Sequence, residues 1–195
     1  MLNQKQILRE KITKLKQSLP EKTVTDLSGI IADRLKQTDF FQEAKCIALY
    51  YAIDNEVRIS EFINEWSEKK RIFLPVIDGV NLYFYPFTGS MNLHKGTYGI
   101  PEPTDATSKM RICTSELQTA PSEIDLFIVP GIAFDLTCNR LGRGKGYYDR
   151  FLTGINKPII GLGYDFQLVD HISAEIHDIK MTMIITEKNI VIRHS

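Results

Sequence analysis

Apolar residues recur every three or four positions through the first 37 residues, and that spacing predicts two helices. Leu8, Ile12, Leu15 and Leu19 form one stripe within residues 4–19, which Pro20 ends. Val24, Leu27, Ile31 and Leu35 form a second within residues 21–37. After that, short apolar runs replace the helical period. Cys46–Tyr51 predicts a first strand, residues 59–70 a third helix begun at Ser60 or the turn before it, and Arg71–Pro75 a second strand. An Asp78-Gly79 turn leads into Asn81–Pro86, where Leu82, Phe84 and Pro86 alternate with Tyr83 and Tyr85 as in a half-buried strand. Residues 88–122 carry Gly89, Gly96, Gly99, Pro101, Pro103 and Pro121 and predict a long irregular segment, which in a compact domain usually serves a site. Asp125–Pro130 predicts a buried strand, residues 147–153 a short helix, and Pro158–Tyr164 a further strand. Met181–Thr186 and Ile190–Arg193 predict a closing pair around Glu187-Lys188-Asn189. Strands alternating with helices define an α/β fold class. The expected form is a three-layer sandwich with a largely parallel sheet flanked by helices, in one domain over residues 1–195.

Charge then narrows the function classes. The 195 residues carry 24 basic and 24 acidic side chains, so no global field draws the chain to nucleic acid or to an anionic membrane. Any anion site must be local. No apolar run is long enough to span a bilayer, and the polar start Met1-Leu2-Asn3-Gln4-Lys5-Gln6 does not read as a secretion signal. Cys46, Cys113 and Cys138 have no metal-binding spacing and read as reduced thiols. The expectation is a cytoplasmic protein; oligomeric state is not legible here.

The chemistry concentrates in Val129-Pro130-Gly131-Ile132-Ala133-Phe134-Asp135 and in Arg140-Leu141-Gly142-Arg143-Gly144-Lys145-Gly146-Tyr147-Tyr148-Asp149-Arg150. This stretch follows a predicted buried strand and leads into a helix, where ligands bind in α/β sheets. Gly142, Gly144 and Gly146 allow tight turns and a close approach of backbone N–H groups to phosphate. Arg140, Arg143 and Lys145 place charge where a triphosphate would lie, and the helix start adds its dipole. It is not a P-loop, because Gly146 follows Lys145, and not a dinucleotide fingerprint, because Tyr147 stands where a third glycine belongs. The plain alternative is a flexible basic loop over packed aromatics. The Tyr147-Tyr148-Asp149-Arg150 sequence that follows makes the segment far more specific.

The stretch closely resembles the signature of the 5-formyltetrahydrofolate cyclo-ligase family: Pro-Gly, then Phe-Asp, then Arg-Leu-Gly-x-Gly-x-Gly-Tyr-Tyr-Asp, over residues 129–152. Weaker likenesses are the basic first helix, Asn55-Glu56-Val57, Gly99-Ile100-Pro101-Glu102-Pro103, and His177-Asp178. The resemblance implies an enzyme that uses ATP as co-substrate, with Mg²⁺, to convert 5-formyltetrahydrofolate to 5,10-methenyltetrahydrofolate. ADP and phosphate are released, by way of a phosphorylated formyl (iminium phosphate) intermediate. It implies ATP binding by Lys5, Arg9, Arg140, Gly142, Arg143, Gly144, Lys145, Gly146, Tyr147 and Tyr148. It implies substrate binding by Ile53, Glu56, Arg58 and Tyr98, and metal binding by Asp149, with Thr182 a further candidate.

Each assignment has a plainer reading beside it. Lys5 and Arg9 share a helix face, and such a pair is commonly a solvated basic face. Asp149 could serve only the helix dipole, and Tyr98 only loop packing. The chain also departs from the family pattern. Arg58 stands where an acidic residue is commoner, and Ile59 where Thr is. Cys138 stands where Gly is usual, and Thr182 where some members carry a second metal-binding Asp. A sugar-phosphate isomerase or CoA transferase on a similar sheet, and a non-catalytic nucleotide or folate binder, are the competing classes.

Overall fold

The computed structural model describes residues 4–53, 55–96, 99–103, 123–175 and 178–193. Tyr98, Cys113 and His177 lie outside the described residues. Three helices come first: α1 (Gln4–Gln17), α2 (Glu21–Lys36) and α3 (Asp39–Glu43). Then follow β1 (Cys46–Ala48), α4 (Ser60–Trp66), β2 (Arg71–Asp78), β3 (Asn81–Pro86), β4 (Leu93–Lys95) and β5 (Pro101–Pro103). The second half holds β6 (Leu126–Pro130), β7 (Ala133–Asp135), β8 (Arg140–Leu141), α5 (Tyr147–Leu152), β9 (Ile159–Leu162), β10 (Leu168–Val169), β11 (Met183–Ile185) and β12 (Ile190–Ile192).

The central sheet has seven strands in the order β12-β11-β9-β6-β1-β2-β3. The five inner strands are parallel; β3 and β12 at the edges are antiparallel. The inner strands alternate between two cores. Ile47, Leu49, Ile72, Leu74, Leu126 and Ile128 face α2, α3 and α4 through Val24, Ile31, Leu35, Phe41 and Phe62. Cys46, Ala48, Phe73, Phe127 and Val129 face Phe134 of β7 and Phe151 and Leu152 of α5. This is the expected three-layer α/β sandwich, except that the second outer layer is a six-residue helix plus a small sheet ordered β10-β7-β8. Each fully buried Ile or Phe of these faces contributes about 1.5–3 kcal/mol.

Several elements differ from the sequence reading, each for a local reason. β2 continues through Pro75 to Asp78, because its partner β1 ends opposite Phe73 and no donor is needed at the proline on that side. β3 is buried on both faces: Leu82 and Phe84 enter the core under α5, while Tyr83 and Tyr85 cluster with Val76. The short α3 starts where the Thr38 hydroxyl accepts the Phe41 N–H at 3.3 Å, an N-cap. In α1, Ile12 and Lys16 are buried while Leu15 is 41% exposed. The inward face therefore runs Lys5, Leu8, Arg9, Ile12, Lys16, and its apolar members pack on Ile132, Ala133 and Leu141.

From β1 the chain moves outward to β2 and β3, then returns to β6 on the other side and proceeds through β9 to β11. The order reverses between β1 and β6. Loops leaving the carboxyl ends of those two strands run in opposite directions and leave a crevice, the usual ligand position in open α/β sheets.

Candidate active site

A cavity of about 950 Å³ opens at that crevice. The loop after β1 supplies Tyr50, Tyr51, Ile53 and Glu56; β2 and β3 supply Pro75, Ile77 and Leu82; β5 and the residue before it supply Glu102 and Ile100. The segment from Pro130 to Ile132, the glycine-rich loop and α5 supply the opposite wall, and α1 reaches over with Lys5 and Arg9. All ten residues expected to bind ATP line this one cavity, as do Ile53, Glu56 and Asp149.

The glycines of the loop make room for arginines. Gly142 leaves space for Arg140, whose Nη1 would lie 3.0 Å from an added Cβ; Gly144 (φ +90°) leaves space for Arg9, and Gly146 (φ +66°) for Arg150. Arg9 donates from Nε to the Gly142 carbonyl at 2.9 Å, so α1 is docked on the loop and the pair Lys5/Arg9 is not a solvated face. Lys5 sits 2.9 Å from Glu175 and 3.1 Å from Asp178. Burial pulls the Lys5 ammonium down, but hydrogen bonds and charge from those two carboxylates outweigh it and hold its pKa above the usual lysine value.

Arg140 is built in more deeply than a simple phosphate contact. It is 7% exposed, donates to Asp149 Oδ1 at 2.9 Å and, at a long 3.4 Å, to the Pro130 carbonyl. Its guanidinium lies 5.4 Å from the Tyr148 ring centre. Lys145 is exposed and makes no ion pair among the described residues, so its charge is available to a ligand. Arg150 donates to the carbonyls of Lys145 (2.9 Å) and Val80 (2.6 Å), tying the β2–β3 turn to the loop. Desolvation, reinforced by the nearby Glu56 charge, pushes the Tyr50 and Tyr148 phenols up, leaving both neutral donors at ordinary pH.

The loop after β1 is tied down by hydrogen bonds at several points. Glu56 is 5% exposed. Its Oε2 accepts the Ile53 N–H at 3.2 Å and its Oε1 accepts Arg143 Nη2 at 3.0 Å. Tyr164 donates to the Glu56 carbonyl, Tyr50 to the Val57 carbonyl, and Asn55, at φ 56°, donates to the Lys16 carbonyl.

Two expected residues fall outside the cavity. Arg58 turns to the outer surface, where its guanidinium pairs with Glu21 of α2, and its backbone N–H donates to Ser28 at 2.9 Å. The commoner acidic residue would repel Glu21 there, so the departure is matched by its partner. Thr182 precedes β11 and its hydroxyl accepts the Ile159 N–H at 3.1 Å, at the amino end of β9. The cavity lies at the carboxyl ends, some three residues along the strand and therefore roughly 10 Å away. The frame Asp178-Ile179-Lys180 puts Thr182 four residues beyond Asp178, where some family members carry a metal-binding Asp, but the strand carries it to the opposite end of the sheet. Cys138 has φ 64°, the left-handed region, which accounts for glycine being usual at that position.

The sequence reading also missed cavity residues. Glu102, Asp178 and Arg150 line the cavity although their neighbours in sequence, and not they, carry the recognisable signal. Tyr50, Pro75 and Ile77 carried no signal, because only the strand order brings them to this crevice.

For Mg²⁺, Asp149 is the cavity carboxylate that stands beside the glycine loop, whereas Glu56, Glu175 and Asp178 are paired with Arg143 and Lys5. Asp149 Oδ1 is held by Arg140, and Oδ2 makes no hydrogen bond among the described residues. No cluster of three or more His, Cys, Asp or Glu that would cage a metal occurs among the described residues. One carboxylate with substrate phosphates and waters is an ordinary Mg²⁺ arrangement, so the residues fit the ion.

Comparison with known proteins places the chain in one family. The model of the 5-formyltetrahydrofolate cyclo-ligase family matches residues 1–187. The 5-formyltetrahydrofolate cyclo-ligase of Haemophilus influenzae is 30% identical over 181 residues, 89% of each chain. The solved structure of Aquifex aeolicus 5,10-methenyltetrahydrofolate synthetase has a TM-score of 0.84 at 32% identity, covering 98% of this chain and 93% of that one. The Mycoplasma pneumoniae 5,10-methenyltetrahydrofolate synthetase has a TM-score of 0.71 at 26% identity, covering 95% and 99%. The chain belongs to the 5-formyltetrahydrofolate cyclo-ligase family.

Proposed function

We propose that the chain converts 5-formyltetrahydrofolate to 5,10-methenyltetrahydrofolate with ATP and Mg²⁺, in this cavity. The observation that carries the reading is the pairing of two unlike walls in one crevice. One wall is a basic glycine loop with the free charge of Lys145, suited to a triphosphate; the other is apolar, with a buried carboxylate at Glu56, suited to a flat heterocycle bearing N–H donors.

A formamide is a poor nucleophile and a poor electrophile, so the formyl oxygen needs activation. In the proposed sequence that oxygen attacks the γ-phosphorus of ATP; the new O–P bond forms as the bond to ADP breaks. The resulting iminium carbon is attacked by the neighbouring folate nitrogen N10, which loses its proton. Phosphate then departs with the former formyl oxygen. The chain's own residues have two tasks, orientation and charge neutralisation. Lys145, Arg143 and Arg9 gather around the phosphates. Ile53, Tyr51 and Pro75 hold the ring system, and the docked α1 excludes water. Asp149 would hold Mg²⁺, which when bound supplies neutralisation of phosphate charge. No protein nucleophile is required.

The test is to mix the protein with 5-formyltetrahydrofolate, ATP and Mg²⁺ and follow the near-ultraviolet absorbance of the methenyl product. Absorbance should rise only with ATP present. An isomerase, a CoA transferase or a non-catalytic binder would leave it flat.

A further inference from the structure

The two walls are joined by an ion pair that neither substrate's own chemistry accounts for. Arg143, on the glycine loop, reaches across the crevice to Glu56 at 3.0 Å. The partners are unequal. The Glu56 side chain is 6% exposed and that of Arg143 is 42% exposed. Glu56 is fixed on both sides, its carboxylate by the Ile53 N–H and its backbone carbonyl by Tyr164, with Tyr50 holding the next carbonyl, that of Val57. Arg143 stands between Gly142 and Gly144, so its side chain projects from a stretch without neighbouring side chains beside it in sequence.

We propose that this pair is a positioning device that couples the two substrates: folate takes the Glu56 carboxylate, and the displaced Arg143 turns to the triphosphate. The inference rests on the reading that Glu56 receives the folate ring. A carboxylate has about four acceptor sites, but Glu56 is nearly enclosed: the Ile53 N–H holds Oε2 and Arg143 covers Oε1, so a flat heterocycle edge competes with the guanidinium for the small face left open. The better-exposed partner yields, and that partner is Arg143. An arginine so released is a fork of N–H donors beside a polyphosphate. Because coupling between two ligands is reciprocal, ATP must raise folate affinity by the same factor that folate raises ATP affinity.

The test uses calorimetry with 5-formyltetrahydrofolate and a non-hydrolysable ATP analogue with Mg²⁺, each alone and with the other saturating. In the parent, each ligand should tighten the other by about five-fold or more, the lower end of ordinary coupling. Arg143→Gln should bring that factor to near one, and folate alone should bind at least as tightly as in the parent, since its competitor is gone. Lys145→Gln, which removes a phosphate-side charge and spares the pair, should weaken the analogue while keeping the factor. An absence of coupling in the parent, an unchanged factor in Arg143→Gln, or weaker folate binding in Arg143→Gln would each overturn the proposal. Failure of the parent to bind 5-formyltetrahydrofolate at all would instead overturn the functional reading beneath it.

Discussion

Gly161→Ala should destabilise the protein far more than a buried glycine-to-alanine change normally does, and Phe134 is the reason. A Cβ built on Gly161 meets the Phe134 ring, with Cδ1 and Cζ each at 3.0 Å and Cε1 closer still. The ring has no room to retreat. A Cβ on Gly131 would lie 2.5 Å from Cζ, and one on Gly163 2.9 Å from Cε2, so the ring is seated on backbone at three positions. Phe134 is fully buried. Overpacking a site that cannot relax costs about 1–3 kcal/mol, and the confinement places this change near the top of that range. For a chain of this size, about 3 kcal/mol lowers Tm by roughly 6–12 °C. The control is the same change in a Phe134→Leu background. There the clash is gone, and alanine's smaller unfolded-state entropy should make Gly161→Ala neutral or stabilising by up to about 1 kcal/mol. Urea unfolding of the four proteins gives the coupling directly. If the two changes add within about 0.5 kcal/mol, Phe134 does not occupy the space the glycines leave, and the packing account fails.

Three further outcomes follow from the site and its supports. Lys145→Ala should lower turnover by about 10²-fold with little change in urea midpoint, because an exposed loop ammonium is lost from the phosphate wall. Asp149→Asn should sharply raise the Mg²⁺ concentration needed for half activity, whereas Thr182→Asp should leave it unchanged, since Thr182 lies at the far end of the strand; activity against Mg²⁺ at fixed ATP checks both. Asp135 is buried, which acts to raise its pKa, but hydrogen bonds from Asn139, Ile172 and Thr137 outweigh this and hold it below the usual carboxylate range. A depressed folded pKa means its stabilisation is fully present above about pH 4 and is lost as pH falls through the folded value. Urea unfolding of parent and Asp135→Asn should therefore differ by a constant amount from pH 7 to about pH 4, with the gap closing only below that; a gap that closes above pH 5 would contradict the assignment.

Much of the fold was legible because its signals are local. The stripe Val24, Leu27, Ile31 and Leu35 placed α2, and the apolar run ending at Pro130 placed β6. What the sequence could not show depends on long-range pairing. The α1 stripe suggested Leu15 inward, yet Lys16 is buried and Leu15 is 41% exposed, and the Lys16 carbonyl accepts from Asn55 across 39 residues, a contact no local period encodes. The β7-β8-β10 sheet rests on two- and three-residue strands whose pairing is fixed by the buried Asp135 carboxylate, not by any apolar period. The site divides the same way. The glycine loop announced its chemistry through residue type and spacing, whereas the second wall, from Tyr50 to Pro75 and Ile77, exists only once β1 and β2 lie beside β6. Thr182 shows the converse hazard: a linear frame placed it near a metal, and strand register placed it elsewhere.

The central claim is that the formyl oxygen is phosphorylated by ATP in this cavity before the ring closes. It is tested most directly by preparing 5-formyltetrahydrofolate with oxygen-18 in the formyl group and analysing the inorganic phosphate released during turnover by mass spectrometry. The account predicts one labelled oxygen per phosphate, matched mole for mole with methenyl product. Unlabelled phosphate, with the label found in water, would contradict it, because ring closure would then have proceeded without transfer of the γ-phosphoryl group to the formyl oxygen.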